Sequence, residues 1–278
     1  MIIEKESADL SKLCVHTITT KPWSIEEAAM NYAACGIKGI TVWRDSLATG
    51  NIRRTGEMLR ESGISIVSLC RGGFFAHKDP AKRKNALDDN RLAIEEASEL
   101  GAPMIVLVCG ADPAQSLEDS RKQIREGIEA LIPEASAAGI KLAIEPLHPM
   151  YADTRSAINT LAQANDMADV IHSPTVGVAV DVYHLWWDPD LEHEIKRCGK
   201  NNHLLAFHVS DWKSPTIDIL NDRGLMGEGC IPLKKIRSWV EAAGFSGFIE
   251  VEIFSTKYWK REQKEYLNEI VSAYKKFT

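Results

Sequence analysis

Eight short apolar, β-branched runs, each followed by a longer helical pattern, limit what this chain can fold into more than any other feature. The runs are LCVHT (13–17), GITVW (39–43), ISIVSL (64–69), MIVLVC (104–109), KLAIE (141–145), VGVAVD (176–181), LLAFHV (204–209) and FIEVEI (248–253). Helical patterns lie near 24–35, 50–62, 80–100, 116–138, 155–171, 188–199, 231–243 and 261–276. Continuous apolar strands alternating with helices describe a parallel sheet covered on its faces. Eight such units favour closure into a (βα)8 barrel over an open doubly wound sheet. No G-x-G-x-x-G follows the first run, which weakens the dinucleotide-binding alternative. Helix starts are marked by Ser24 with Glu27 three residues on and by Pro80; helix ends are marked by Gly36, Gly63, Gly101, Gly139 and Gly244.

No linker or low-complexity segment interrupts the alternation, so residues 1–278 read as one barrel domain. The longest irregular stretch, roughly 210–230, is rich in Asp, Gly, Ser and Pro and reads as a binding loop or lid. The formal net charge of −6 gives no general attraction to phosphate backbones, so nucleic acid is not expected as a partner. No apolar run approaches the roughly 20 residues that cross a bilayer, and no membrane partner is expected. The opening MIIEKESADL carries acids where a secretory leader needs a basic and then apolar stretch. Six cysteines lack C-x-x-C spacing and read as reduced, mostly buried thiols. Both features point to the cytoplasm.

Four strand-end residues carry the chemistry. Glu145, Asp181, His208 and Glu252 each close an apolar run, and a closed barrel brings such strand ends to one rim. Side chains two apart share a face, which puts Ala143 under Glu145, Gly177 and Ala179 under Asp181, and Ala206 under His208. Small residues there leave room for a cavity. Three carboxylates crowded together repel one another unless a cation compensates them, and few basic partners are evident in the sequence. Three carboxylates and an imidazole form a hard ligand set for one divalent metal ion. It suits Mn²⁺ best, with Mg²⁺, Co²⁺ or Zn²⁺ also accommodated. Glu250 lies under Glu252 by the same count. It could pair with Lys141, which also points inward but deeper, or it could be the ligand with Glu252 turned outward. The position nearer the strand's C-terminal end favours Glu252.

Other residues flank this centre. His184, in the D-x-x-H segment, falls within reach of a substrate oxygen, and Arg223, in NDRGLMGEG, is placed to grip substrate oxygens. His148, in EPLHPMY, follows Glu145 and is a candidate acid or supporting group. Trp43, Arg44, Phe74, Phe75, Trp186 and Trp187 fall at or just after strand ends, and of these Trp43, Phe74 and Trp186 are the candidates for a wall against a sugar ring.

The motifs KLAIEP, VAVDVYH, AFHVSDW, DRGLMGEGCIPL and GFIEVEIF followed by KYW make the chain resemble the sugar isomerase/epimerase superfamily with a xylose-isomerase-like barrel, closest to its inosose isomerases and ketose 3-epimerases. The resemblance covers nearly the whole chain and implies Glu145, Asp181, His208 and Glu252 as metal ligands, His184 and Arg223 as substrate binders, and a homo-oligomer. One departure stands out. Ketose 3-epimerases of this kind carry a further glutamate soon after the first ligand, whereas here the stretch reads PLHPMY, with no acid before Asp153.

The expected activity is metal-dependent isomerisation or epimerisation of a small keto-sugar or keto-cyclitol by α-proton transfer through an enediolate, with Glu145 and Glu252 as acid and base. The alternative is a lyase or dehydratase that expels a β substituent, such as an aglycone, from an oxidised 3-keto sugar, with His148 or His184 as the acid. A repair endonuclease on the same barrel would need a trinuclear cluster, and strand ends one to four offer only His16, Asp45, Arg71 and Cys109. A sugar-binding barrel without activity would not need the intact ligand set.

Overall fold

A computed structural model describes residues 10–47 and 51–278. The opening segment, read above for a leader pattern, and the first residue of the helix expected from 50 lie outside the described residues. Eight parallel strands form a closed barrel in simple sequential order. They are β1 (Leu13–His16), β2 (Gly39–Trp43), β3 (Ser65–Gly73), β4 (Met104–Val108), β5 (Lys141–Glu145), β6 (Val176–Asp181), β7 (Leu204–Val209) and β8 (Ile249–Val251). Closure runs through β1 on β8, with Cys14 opposite Glu250.

The helices that cover the barrel are α1 (Ile25–Ala34), α2 (Ile52–Glu61), α3 (Pro80–Leu100), α4 (Leu117–Ala137), α5 (Leu161–Ile171), α6 (Val182–Leu185), α7 (Leu191–Lys200), α8 (Leu233–Ala242), α9 (Thr256–Trp259) and α10 (Gln263–Phe277). Local signals act as the sequence suggests. Ser24 and Glu27 form a reciprocal capping box, and Pro80 opens α3 behind an Asp79 cap. The five glycines taken as helix stops all adopt positive φ.

Three differences concern the rim. The helix expected from 155 begins only at Leu161, because Ser156, Ile158 and Asn159 are bonded into the loop; Asn159 Nδ2 donates to the Leu147 and Ser156 carbonyls. The four-residue α6 follows β6 directly, since Asp181 Oδ1 accepts the Tyr183 N–H at 2.8 Å and so caps the chain into a turn. A second short helix, α9, follows β8, where an irregular stretch had been expected up to 261.

The apolar core has two parts. The larger lies between the barrel and its helices and holds most of the Leu, Ile and Val side chains. The smaller fills the barrel, where Ala143, Ala179 and Ala206 meet Trp43, Cys70, Val106 and Phe254. The expected alanines thus point inward, and their size leaves volume below the C-terminal rim. Gly73, at the end of β3, has φ +110, and a Cβ there would collide with the Val108 carbonyl oxygen. Gly73→Ala therefore meets both left-handed strain and backbone overlap. It is expected to lower stability by roughly 2 kcal/mol or more, read as a fall in the urea unfolding midpoint.

Candidate metal centre

Pairing register brings the functional side chains to the same end of the barrel. Asp181 lies opposite His208 across β6 and β7, and His208 lies opposite Glu250 across β7 and β8. Glu252 follows two residues later, its N–H bonded to the Val209 carbonyl, and so projects to the same side one step higher. Glu145, Asp181, His208 and Glu252 are all buried, and each offers one ligand atom within 4.8 Å of the others. An ion with metal–oxygen distances of about 2.1 Å needs neighbouring donors roughly 3–4 Å apart. The four residues therefore fit a single divalent ion, and no thiolate stands among them.

The electrostatic balance differs from expectation, because basic partners are in place. Arg223 Nη1 lies 3.0 Å from Asp181 Oδ2 and 2.7 Å from Glu252 Oε2. His208 Nδ1 lies 3.0 Å from Glu145 Oε1. The sequence could not display these partners, since each comes from a different strand or loop. Burial pushes the Asp181 carboxyl upward, whereas Arg223 and His16 hold Glu252 well below the usual carboxylate range despite its burial. His208 overcomes its own burial because Glu250, Glu145 and Glu252 surround it, and it is raised to about 10.

Beneath this level lies a second polar layer. Glu250 Oε2 accepts from Thr41 Oγ1 at 2.6 Å and lies 3.1 Å from His16 Nε2. His208 Nε2 stands 3.8 Å from the same oxygen. Burial raises Glu250, but His208, His16 and Thr41 outweigh it and hold the carboxyl below its ordinary value. Lys141 is not its partner. Lys141 opens β5 at the opposite end of the barrel, is exposed, and donates instead to the Pro174 carbonyl at 2.7 Å. Glu252 is not turned outward either, since His16 Nδ1 lies 3.2 Å from its Oε1. His16 was weighed only as a strand-end residue. Its signal was the alternation in LCVHT, which points it to the face shared by Glu250 and Glu252.

Above the ligands, a cavity is lined by Trp43, Glu145, Tyr151, Arg155, His184, Arg223, Glu252 and Phe254 among others. Trp43, His184 and Arg223 are thus among the residues that line this cavity. Phe74 packs on the Val108–Leu147–Tyr151 cluster at the edge of this wall. His148 does not reach the cavity. Its ring lies in an aromatic stack, 5.7 Å from Trp187 and 5.0 Å from Trp212, and its Nδ1 accepts the Met150 N–H. Trp186 likewise packs on Trp212, at 5.7 Å, rather than lining the cavity. In the segment after Glu145, where a further acid is absent, Tyr151 and Arg155 supply the wall.

Comparisons with known proteins agree with this geometry. The family described as "Xylose isomerase-like TIM barrel" matches residues 30–275. An inosose isomerase of Bacillus licheniformis is 28% identical over 213 residues, covering 72% of this chain and 74% of the relative. The crystal structure of a Sinorhizobium meliloti 1021 protein superposes with a TM-score of 0.93 at 45% identity, covering 97% of this chain and 99% of that one. The crystal structure of IOLI protein with a bound zinc atom superposes with a TM-score of 0.83 at 21% identity, covering 96% and 99%. Among the described residues, no helix is long and apolar enough to cross a membrane.

Two outcomes follow from the charge balance. With His208 raised to about 10, its imidazole is protonated at neutral pH in the metal-free protein, and a metal ligand must be neutral. Asp181 is raised to about 7 by burial, so Mn²⁺ binding at pH 7 should release about one to two protons per ion, most from His208 and the rest from Asp181, and affinity should rise from pH 6 to pH 9. Calorimetry in buffers of different ionisation enthalpy reads both, and His208→Ala should abolish most of the release. Glu250→Ala removes the carboxylate that His16, Thr41 and His208 share. It should cost about 3–5 kcal/mol, measured by chemical denaturation.

Proposed function

The chain belongs to the xylose isomerase-like TIM barrel family, and on that premise we propose that it is a divalent-metal-dependent isomerase or epimerase of a small keto-sugar or keto-cyclitol. The activity would move a proton α to the carbonyl through an enediolate. One observation carries this reading. Glu145 and Glu252 approach from different strands, and both open into the one cavity that also holds His184 and Arg223. The relative named as an inosose isomerase supports the same reaction class.

A divalent ion held by Glu145, Asp181, His208 and Glu252, with Mn²⁺ the best match to this hard donor set, would polarise the substrate carbonyl and stabilise charge developing on its oxygen. Glu252, which Arg223 and His16 keep ionised, is the acceptor of the α proton in this reading. Glu145 returns a proton from the other side, and the reverse reaction exchanges their roles. Arg223 Nη2 lies 3.1 Å from His184 Nε2. A guanidinium can only donate, so His184 Nε2 accepts and its proton sits on Nδ1. That Nδ1 is buried without a partner, as is Arg223 Nε. Burial and the Arg223 charge hold His184 well below its ordinary range, hence neutral. The two unpaired N–H groups are donors suited to substrate oxygens. Elimination of a β substituent would need an acid beside the leaving group, and with His148 held in the aromatic stack that role would fall to His184 alone.

The test is solvent exchange at the α carbon. Mn²⁺-loaded protein in D2O should introduce deuterium next to the carbonyl of an inosose or a ketohexose, read by NMR, and excess chelator should stop it. Glu145→Gln and Glu252→Gln should each slow exchange by about 10²–10⁴-fold. Undiminished exchange in both variants would end this mechanism.

A further inference from the structure

Two arginines beside this cavity hold no acidic partner. Arg71 lies near the end of β3, and Arg155 lies in the loop after β5. Among the described residues, neither side chain makes an ion pair or a hydrogen bond; their contacts are with aromatic rings. Neighbouring rim arginines are saturated: Arg44 by Asp89 and Glu96, and Arg223 by Asp181 and Glu252.

The two free guanidinium groups bracket one small apolar patch. Arg71 Cζ sits 4.3 Å from the centre of the Phe74 ring, and Arg155 Cζ sits 5.9 Å from the centre of the Tyr151 ring. Phe74 and Tyr151 pack in the same cluster with Val108 and Leu147. Arg155 and Tyr151 line the cavity above the ligands, while Arg71 lines a neighbouring recess that shares Trp43 with it. Asp45 shares that recess, yet it makes no ion pair with Arg71. Burial and the nearby Arg155 charge lower Arg71 below its ordinary value. Asp45 offsets part of this without pairing with Arg71, and an oxyanion received by both guanidinium groups would turn the remaining like-charge repulsion into attraction. Each guanidinium lies over an aromatic ring, and such planar forks bind phosphate or carboxylate through paired hydrogen bonds.

We infer that Arg71 and Arg155 together bind an oxyanion carried by the substrate, so that the cavity takes an acidic keto-sugar, bearing a phosphate monoester or a carboxylate, in preference to a neutral one. The inference rests on the reading of the cavity as a sugar isomerase site.

The experiment uses the full Mn²⁺-loaded chain and matched substrate pairs: fructose against fructose 6-phosphate, and fructose against its 6-carboxylate, fructuronate. One acidic member of these pairs should exchange its α proton with kcat/KM at least about 10–100-fold above fructose. The pair that shows the preference identifies phosphate or carboxylate as the source. Arg71→Gln and Arg155→Gln should each cut that ratio by about 10-fold or more, mainly through KM, and Arg155→Lys should restore part of it. Equal kcat/KM within both pairs, or a ratio untouched in both variants, overturns the inference. If no sugar exchanges at all, the isomerase reading fails, and inorganic phosphate decides separately. Phosphate binding to the Mg²⁺-loaded protein that is lost in both Gln variants sustains the anion site, and binding that is absent or unchanged in them overturns it.

Discussion

Like-charge repulsion among carboxylates, relieved by groups brought from distant strands, is the constraint on which the site rests. Glu145, Asp181, Glu250 and Glu252 are buried within one barrel mouth. Left alone, they could not all stay ionised there. His16, His208 and Arg223 come from β1, β7 and the loop before α8, and each touches at least one of these acids. Such a set cannot assemble locally. It exists only when the barrel closes, so the site and the closure are coupled energetically.

Barrel geometry explains why the ligands sit where they do. Inward positions below the rim carry alanine at Ala143, Ala179 and Ala206. Bulky side chains there would fill the mouth and leave no cavity. Aromatic rings close the sides instead. Arg223 Cζ lies 4.4 Å from the Tyr183 ring centre and 5.1 Å from that of Phe254, so the cation is held between two faces as well as by two carboxylates. Its backbone is fixed too, through its N–H to the Phe254 carbonyl at 2.9 Å. The Arg223 side chain is thereby fixed at the cavity wall.

The strands and the convergence of Glu145, Asp181, His208 and Glu252 at one rim were legible because period-two alternation and strand-end placement are local properties. What the sequence withheld depends on pairing across the barrel. Glu250 could be seen to point inward, yet nothing in its neighbourhood announces that His16, 234 residues away, supplies its partner. His148 illustrates the opposite failure. A histidine soon after a ligand strand looks like chemistry, but Trp187 and Trp212 arrive from later segments and take its ring. Arg155 was hidden because the region from 155 read as helix. With Asn159 donating to the Leu147 and Ser156 carbonyls, that stretch is held as loop, and the Arg155 side chain lines the cavity.

Register also assigns different work to two acids of one strand. Glu250 and Glu252 are two residues apart and share a face, separated by roughly 6–7 Å along the strand. The lower oxygen, Glu250 Oε2, accepts from Thr41, has His16 at hydrogen-bond distance and has His208 just beyond. That oxygen is engaged within the barrel, and Glu250 is not among the residues that line the cavity. Glu252 has Arg223 and His16 beside it, but it also opens to the cavity. The lower acid is therefore suited to holding His16 and His208 in place, and the upper one to chemistry. Exchanging their roles would require a shift of two residues in the pairing of β8 with β1 and β7. Such a slip would keep every inward side chain inward, yet it would break the match of Cys14 with Glu250 and of His208 with Glu250 at once. Pairing on both edges of β8 thus fixes which carboxylate opens to the cavity.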